Sequence, residues 1–241
     1  MMVVARSCIF AAAQVLITPP FAVLALLTFP LPALTRYRII TTWSRIVIYL
    51  ATHVCGIRVR VLGADNLPAT PSVVLAKHQS AWETIAFQSI LPPQVLVIKR
   101  ELLWIPFFGW GLAMLAPIAI DRQSGVRSMK RMLRESKDRL ARGFWIVVFP
   151  EGTRVQPGTR GTYQNGGAAM AVHAGVPIVP IAHNAGMAWG RNAFIKRPGL
   201  ITVSIGPALP TAGRKAEALT REAETWIENE MARLGAAAAH S

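Results

Sequence analysis

Seven short apolar runs, at residues 58–62, 72–76, 94–99, 117–120, 145–149, 177–182 and 200–206, constrain this chain more than any other feature. They are rich in Val and Ile and too short for buried helices, so each predicts a strand. Apart from 58–62, which alternates as Arg-Val-Arg-Val-Leu, the runs are continuous, so both faces of those strands should be covered. The segments between them have helical period. The clearest, 124–142, sets Val126, Met129, Leu133 and Leu140 on one side. Arg127, Lys130, Arg131, Arg134, Lys137 and Arg139 form the other, a solvated or membrane-facing surface, and Gly143 ends the helix. A last helix over 214–234 offers Leu219, Ala223, Ile227, Met231 and Leu234 as a docking stripe, with its acidic residues left to solvent. The alternation predicts an α/β fold, a single domain over 57–241 in which helices cover a mostly buried mixed sheet.

Residues 1–56 are of another kind. From Ser7 to Leu34 there is no Asp, Glu, Lys, Arg or His, which predicts an apolar, membrane-anchoring helical segment. Pro19-Pro20 interrupts it. The arm 7–18 would reach about 18 Å, short of a hydrocarbon core about 30 Å thick. Two forms follow: two arms bent at the proline pair that enter a bilayer without crossing it, or a kinked single span over 9–27. Beyond it, Ile39, Ile40, Trp43, Ile46, Val47, Tyr49 and Leu50 recur at helical spacing beside Arg38 and Arg45, predicting an amphipathic helix over 37–54 that lies on the bilayer or on the body. The basic residues Arg36, Arg38, Arg45, Arg58 and Arg60 favour a cytoplasmic face for the body.

The formal net charge is +14, and 22 of the 26 basic residues but only 7 of the 12 acidic ones lie in residues 1–210. Such a body suits an anionic membrane surface or phosphorylated ligands. Nucleic acid is disfavoured, because no zinc-finger, RRM or basic-zipper pattern occurs and the chain is 52% hydrophobic. Cys8 and Cys55 have no paired spacing, and His53, His78, His173 and His183 no ligand-like spacing, so neither a disulfide framework nor a metal site is indicated. A serine hydrolase is disfavoured by the lack of a Gly-x-Ser-x-Gly elbow.

Four stretches carry chemistry. His78 follows the run 72–76, and Glu83 stands five residues on, at the start of a helix-like segment. A carboxylate that accepts from one imidazole nitrogen fixes the tautomer and leaves the other nitrogen to take a proton; the bland alternative is a satisfied loop pair. Lys99 ends the next run, followed by Leu102, Gly109 and, after a further strand, Arg122. Phe149-Pro150-Glu151-Gly152-Thr153-Arg154 follows 145–148 directly: Gly152 allows close backbone approach, Thr153 offers a hydroxyl, and Arg154 a forked donor suited to phosphate. Glu151 could orient that arginine or a ligand hydroxyl, or simply pair with it to stiffen the turn. Val176-Pro177-Ile178-Val179-Pro180-Ile181 closes the set.

In this order the four stretches resemble the glycerolipid acyltransferase family, most closely the bacterial 1-acyl-sn-glycerol-3-phosphate acyltransferases, across roughly residues 70–185. The family's first block is His-x4-Asp; here position 83 is Glu, which keeps the charge and adds a methylene. The resemblance implies that His78 is a general base with Glu83 as its partner and that Lys99 and Arg154 hold the acceptor's phosphate. It further implies that Glu151 and Gly152 shape the glycerol pocket and that 176–181 lines or supports the acyl site; Arg122 matches the second block's distant arginine. The activity it implies is acyl transfer from an acyl thioester, acyl-CoA or acyl carrier protein, to the free hydroxyl of lysophosphatidic acid, giving phosphatidic acid without an acyl-enzyme or any other cofactor. The expected location is a bacterial-type inner membrane, with the site on the cytoplasmic side. Two alternatives stay open: a related acyltransferase acting on glycerol 3-phosphate or another lysolipid, and a non-catalytic membrane lipid-binding protein.

Overall fold

The computed structural model describes residues 1–121 and 125–239. Among them, seven strands form one sheet: β1 (Ile57–Leu62), β2 (Val73–Ala76), β3 (Gln94–Lys99), β4 (Ile118–Ile120), β5 (Trp145–Val148), β6 (Ile178–His183) and β7 (Gly199–Ile205). The helices are α1 (Met2–Leu27), α2 (Ala33–Ile40), α3 (Thr42–His53), α4 (Trp82–Ile90), α5 (Phe108–Met114), α6 (Gly125–Ala141), α7 (Gly166–Ala174), α8 (Ala185–Ala188) and α9 (Ala216–Ala239). The sheet order is β1-β7-β6-β2-β5-β3-β4, and all neighbours are parallel except the antiparallel β6–β7 pair. All seven runs read as strands are strands, and the sheet is mixed. The parallel block brings the carboxyl ends of β6, β2, β5, β3 and β4 to one edge, where such sheets carry their sites.

Strand periodicity divides the core. Val74, Ala76, Val147, Val179 and Ile181 face α1, α3, α4 and α5. Val73, Leu75, Ile146, Val148 and Ile178 face α6, α7 and α9. Residues 1–56 contribute to both layers: Phe10, Val47, Ala51 and Cys55 are buried in the first and Tyr37 in the second.

Three helical expectations need correction. In α6 the buried stripe is Met132, Ser136 and Leu140 with Leu133 partly covered, whereas Met129 is 39% exposed; contact with α7 sets the face, and the side chain of Val126 lies outside the description. The segment 37–54 is two helices, broken at Thr41. Its second half packs on α4, where Ser44 Oγ donates to Gln88 Oε1 at 2.8 Å, while Tyr49 is exposed. In α9, Leu219, Ala223, Ile227 and Leu234 dock as expected, but not all of its acidic residues are left to solvent.

The two-armed form of the N-terminal segment is not found either. Helix α1 continues through Pro19 and Pro20. The carbonyls that these prolines leave without an N–H partner belong to Val15 and Leu16, both more than 70% exposed, so the defect falls on the side away from the body. Helix α1 is long and apolar enough to cross a membrane, yet it lies against the body along its length. Near its start Ser7 Oγ accepts the Lys196 N–H at 2.9 Å and Phe10 meets Trp189 edge-on at 5.2 Å; near its end Ala22 and Ala25 are buried. Phe10→Ala should therefore destabilise the protein by about 3–5 kcal/mol. Leu16→Ala should be near neutral, as denaturant unfolding in detergent would read.

Candidate active site

Strand β2 lies at the centre of the sheet, and its alternation persists two residues past its end, with the Lys77 N–H donating to Ile181 O at 3.0 Å. Lys77 therefore continues the Val73–Leu75 side, toward α9, and His78 the Val74–Ala76 side, toward α4. Two adjacent polar residues are sent to opposite faces of the sheet.

His78 Nδ1 is 2.8 Å from Glu83 Oε1. The same oxygen accepts the N–H groups of Gln79 at 2.9 Å and Ser80 at 2.8 Å, while Ser80 Oγ accepts the Trp82 N–H at 3.0 Å. Glu83 thus closes a Ser-x-x-Glu cap at the start of α4 and holds the imidazole with one atom. Its side chain is fully buried. Burial alone opposes ionisation, but His183, His78 and the Ser80 N–H together hold its carboxyl below the ordinary range. Phe149 stacks on the His78 ring at 4.0 Å. Among the described residues His78 Nε2 has no hydrogen-bond partner, and the side chain is 13% exposed. With Glu83 an acceptor, Nδ1 carries the proton and Nε2 presents a lone pair to the edge of the sheet.

On the other face, the buried Lys77 ammonium contacts Glu151 Oε1 at 2.7 Å, Glu228 Oε1 at 2.8 Å and Thr159 O at 3.1 Å. Glu151 also accepts the Gly161 N–H at 3.0 Å and, through Oε2, the His78 N–H at 3.1 Å. Glu228 accepts the Tyr163 hydroxyl at 2.8 Å. Burial and this carboxylate push the Tyr163 phenol far above its ordinary value, so it stays a donor. The Phe149–Arg154 turn is thereby clamped to β2 and α9. Gly152, at φ +65, lets the chain reverse there, and the Val155 N–H returns to His78 O at 2.8 Å.

Glu151 faces Lys77 and the His78 backbone rather than Arg154. Arg154 is half-buried, forms no ion pair among the described residues, and its buried Nε has no partner. Thr153 is exposed. Lys99 is exposed at the carboxyl end of β3, two strands from β2. Arg122 lies outside the described residues. The edge of the sheet brings His78, Glu83, Glu151, Gly152, Thr153, Arg154 and Lys99 to one side of the molecule. Behind α4 an apolar cavity is lined by Phe21, Trp43, Ile85, Leu96 and Leu112, next to Thr84.

Sequence reasoning missed Lys77, Tyr163, His183 and Glu228. A lysine ending an apolar run was a signal for Lys77; nothing marked Glu228, 151 residues away. His183 is fully buried, and its Nε2–H donates to Lys77 O at 2.8 Å while Nδ1 accepts the Ala185 N–H at 3.3 Å. Burial holds it below the ordinary imidazole value.

Fold and site together define a class: the chain belongs to the acyltransferase family, whose sequence profile, described as Acyltransferase, matches residues 58–184. It is 45% identical over 208 residues to a Pseudomonas aeruginosa protein named 1-acyl-sn-glycerol-3-phosphate acyltransferase, covering 85% of this chain and 81% of that one. It is 33% identical to the mouse 1-acyl-sn-glycerol-3-phosphate acyltransferase alpha, covering 70% of this chain and 61% of the mouse protein. The fold matches the crystal structure of the Thermotoga maritima 1-acyl-sn-glycerophosphate acyltransferase PlsC with a TM-score of 0.81 over 96% of this chain and 95% of that one, at 20% identity.

Two outcomes test this geometry. Lys77→Met leaves two carboxylates buried without their cation and should cost about 3–5 kcal/mol; adding Glu228→Gln should recover part of it in a double-mutant cycle. Because burial depresses His183, the unfolded chain takes up its proton first, and stability present above the ordinary value near pH 6.5 is lost below it. Melting temperature should fall on acidification from about pH 7 to 5, and less steeply in His183→Asn.

Proposed function

We propose that the protein transfers an acyl chain from an acyl thioester, acyl-CoA or acyl carrier protein, to the free hydroxyl of 1-acyl-glycerol 3-phosphate, giving phosphatidic acid. The observation that carries this reading is the His78–Glu83 pair, with Nδ1 held by a buried carboxylate at 2.8 Å and Nε2 open at the sheet edge. The acceptor hydroxyl gives its proton to Nε2 as it attacks the thioester carbonyl, Glu83 stabilises the imidazolium that forms, and that proton then leaves with the thiolate. No acyl-enzyme, metal or other cofactor takes part. The cavity behind α4 is apolar and of a kind that suits an acyl chain. His78→Ala should reduce phosphatidic acid formation by about 10²–10⁴-fold with the fold intact. Glu83→Gln should impair it and Glu83→Asp retain more; wild-type turnover in either His78→Ala or Glu83→Gln would reject the base mechanism.

Lys99 and Arg154 are proposed to hold the acceptor's phosphate. The support is Arg154's unpartnered Nε and the exposed Lys99 at the same sheet edge. Gly152 and Thr153 flank the arginine, with Arg122 as a further basic contributor. Glu151 acts on this pocket by fixing the turn. Arg154→Lys should raise the acceptor's KM several-fold and the donor's much less, because lysine keeps the charge and loses the forked donor pair. Equal shifts in both would assign Arg154 to the turn's stability.

The apolar, largely exposed α1 and the +14 charge support attachment to an anionic membrane. We place the protein on the cytoplasmic side of a bacterial-type inner membrane, with α1 lying along the body rather than standing clear of it.

A further inference from the structure

The segment between β3 and α5, with the first turn of α5, leaves large apolar side chains exposed, of which Phe107 and Phe108 also line the cavity behind α4. Trp104 is 71% exposed, and Ile105, Phe107, Phe108 and Trp110 are each between 39% and 44% exposed. So dense an apolar patch on a surface marks an interaction site rather than ordinary scatter. The turn is firmly built. Gly109 N–H donates to Ile105 O and Phe108 N–H to Pro106 O, both at 2.7 Å. A Cβ on Gly109 would fall 2.4 Å from Leu103 O, so the chain can fold back this tightly only with glycine there. Phe107 sits at φ +60, a conformation that side chains rarely adopt. The exposure of these rings is held in place by backbone geometry rather than left to a loose loop.

Two neighbouring features say what covers the patch. Helix α5 packs on α1, so the turn is continuous with the exposed apolar side of α1's second half, where Val23, Leu24, Leu26 and Leu27 are 40–72% exposed. Immediately before the turn stand the exposed Lys99 and Arg100, accompanied by the single acidic Glu101. An apolar surface with tryptophans at its margin and cations beside it complements an anionic bilayer, which offers hydrocarbon below and phosphate above.

We propose that the Leu102–Trp110 segment is a second membrane-insertion element, independent of α1, that enters the headgroup region of an anionic phospholipid bilayer. Because the turn leaves the carboxyl end of β3, its insertion sets the edge carrying His78 at headgroup level. Vesicle binding needs no acyl transfer, so the proposal stands or falls apart from the proposed function; the inactive His78→Ala chain should bind as the wild type does.

The test uses the full chain, with α1 intact, and flotation with phosphatidylglycerol or phosphatidylcholine vesicles. Trp104→Ser/Ile105→Ser/Trp110→Ser should bind phosphatidylglycerol vesicles about tenfold more weakly. Its melting temperature and its turnover of a short-chain, monomeric acceptor should be unchanged. Wild-type binding by the triple variant would overturn the proposal, as would equal wild-type affinity for both lipids. A loss of short-chain turnover in step with binding would assign the turn to the substrate site instead, and a changed oligomeric state would assign it to contact between copies. Should the triple variant fail to fold, Trp104→Phe decides the matter. The wild-type fluorescence that this change removes should be quenched by lipids brominated near the headgroup, and an unquenched Trp104 would overturn the proposal.

Discussion

The Lys77 ammonium, buried between Glu151 and Glu228, joins three parts of the chain that are far apart in sequence: the end of β2, the Phe149–Arg154 turn and the C-terminal helix. A charge removed from water is tolerated only where partners surround it. Here two carboxylates and the Thr159 carbonyl do so, and Tyr163 and Gly161 donate to the carboxylates in turn. Since Glu151 also accepts the His78 N–H, the position of the imidazole depends on a network that lies on the opposite side of the sheet from the imidazole itself.

The two faces are coupled through the backbone. His78 receives a hydrogen bond on its carbonyl from Val155 and gives one from its N–H to Glu151, while Lys77's carbonyl accepts from His183. On the α4 side, Glu83 is fixed by the two N–H groups that it caps before it meets the ring. The longer glutamate reaches Nδ1 from the first turn of a helix, and the cap gives it one position from which to do so. Such over-determination is what the proton transfer proposed for His78 would require, since that geometry would have to survive the arrival of a substrate.

Much of this was legible in the sequence. Seven short apolar runs predicted seven strands, because a continuous Val- and Ile-rich run has few other stable solutions at that length. The His78–Glu83 relation was also legible, since five residues spanning a strand end and a helix start can meet through local geometry alone. Helix faces were less so. Met129 replaced Met132 in the expected stripe of α6, as a 3.6-residue period leaves adjacent rotations close in energy until a partner selects one.

What the sequence determined by itself was local: the strand runs, the helix end at Gly143, and the apolar character of α1. Tertiary structure decided the rest. It carried α1 unbroken through Pro19-Pro20 with the freed carbonyls facing away from the body. It also turned Glu151 toward Lys77 and His78 instead of toward Arg154, three residues along. Glu228 became the third member of the ion network although its own helix reads as an ordinary amphipathic one. The reason is common to all three: where a polar group ends up depends on which partners the packed layers place within about 3 Å of it, and partners separated by scores of residues leave no periodic trace in the sequence.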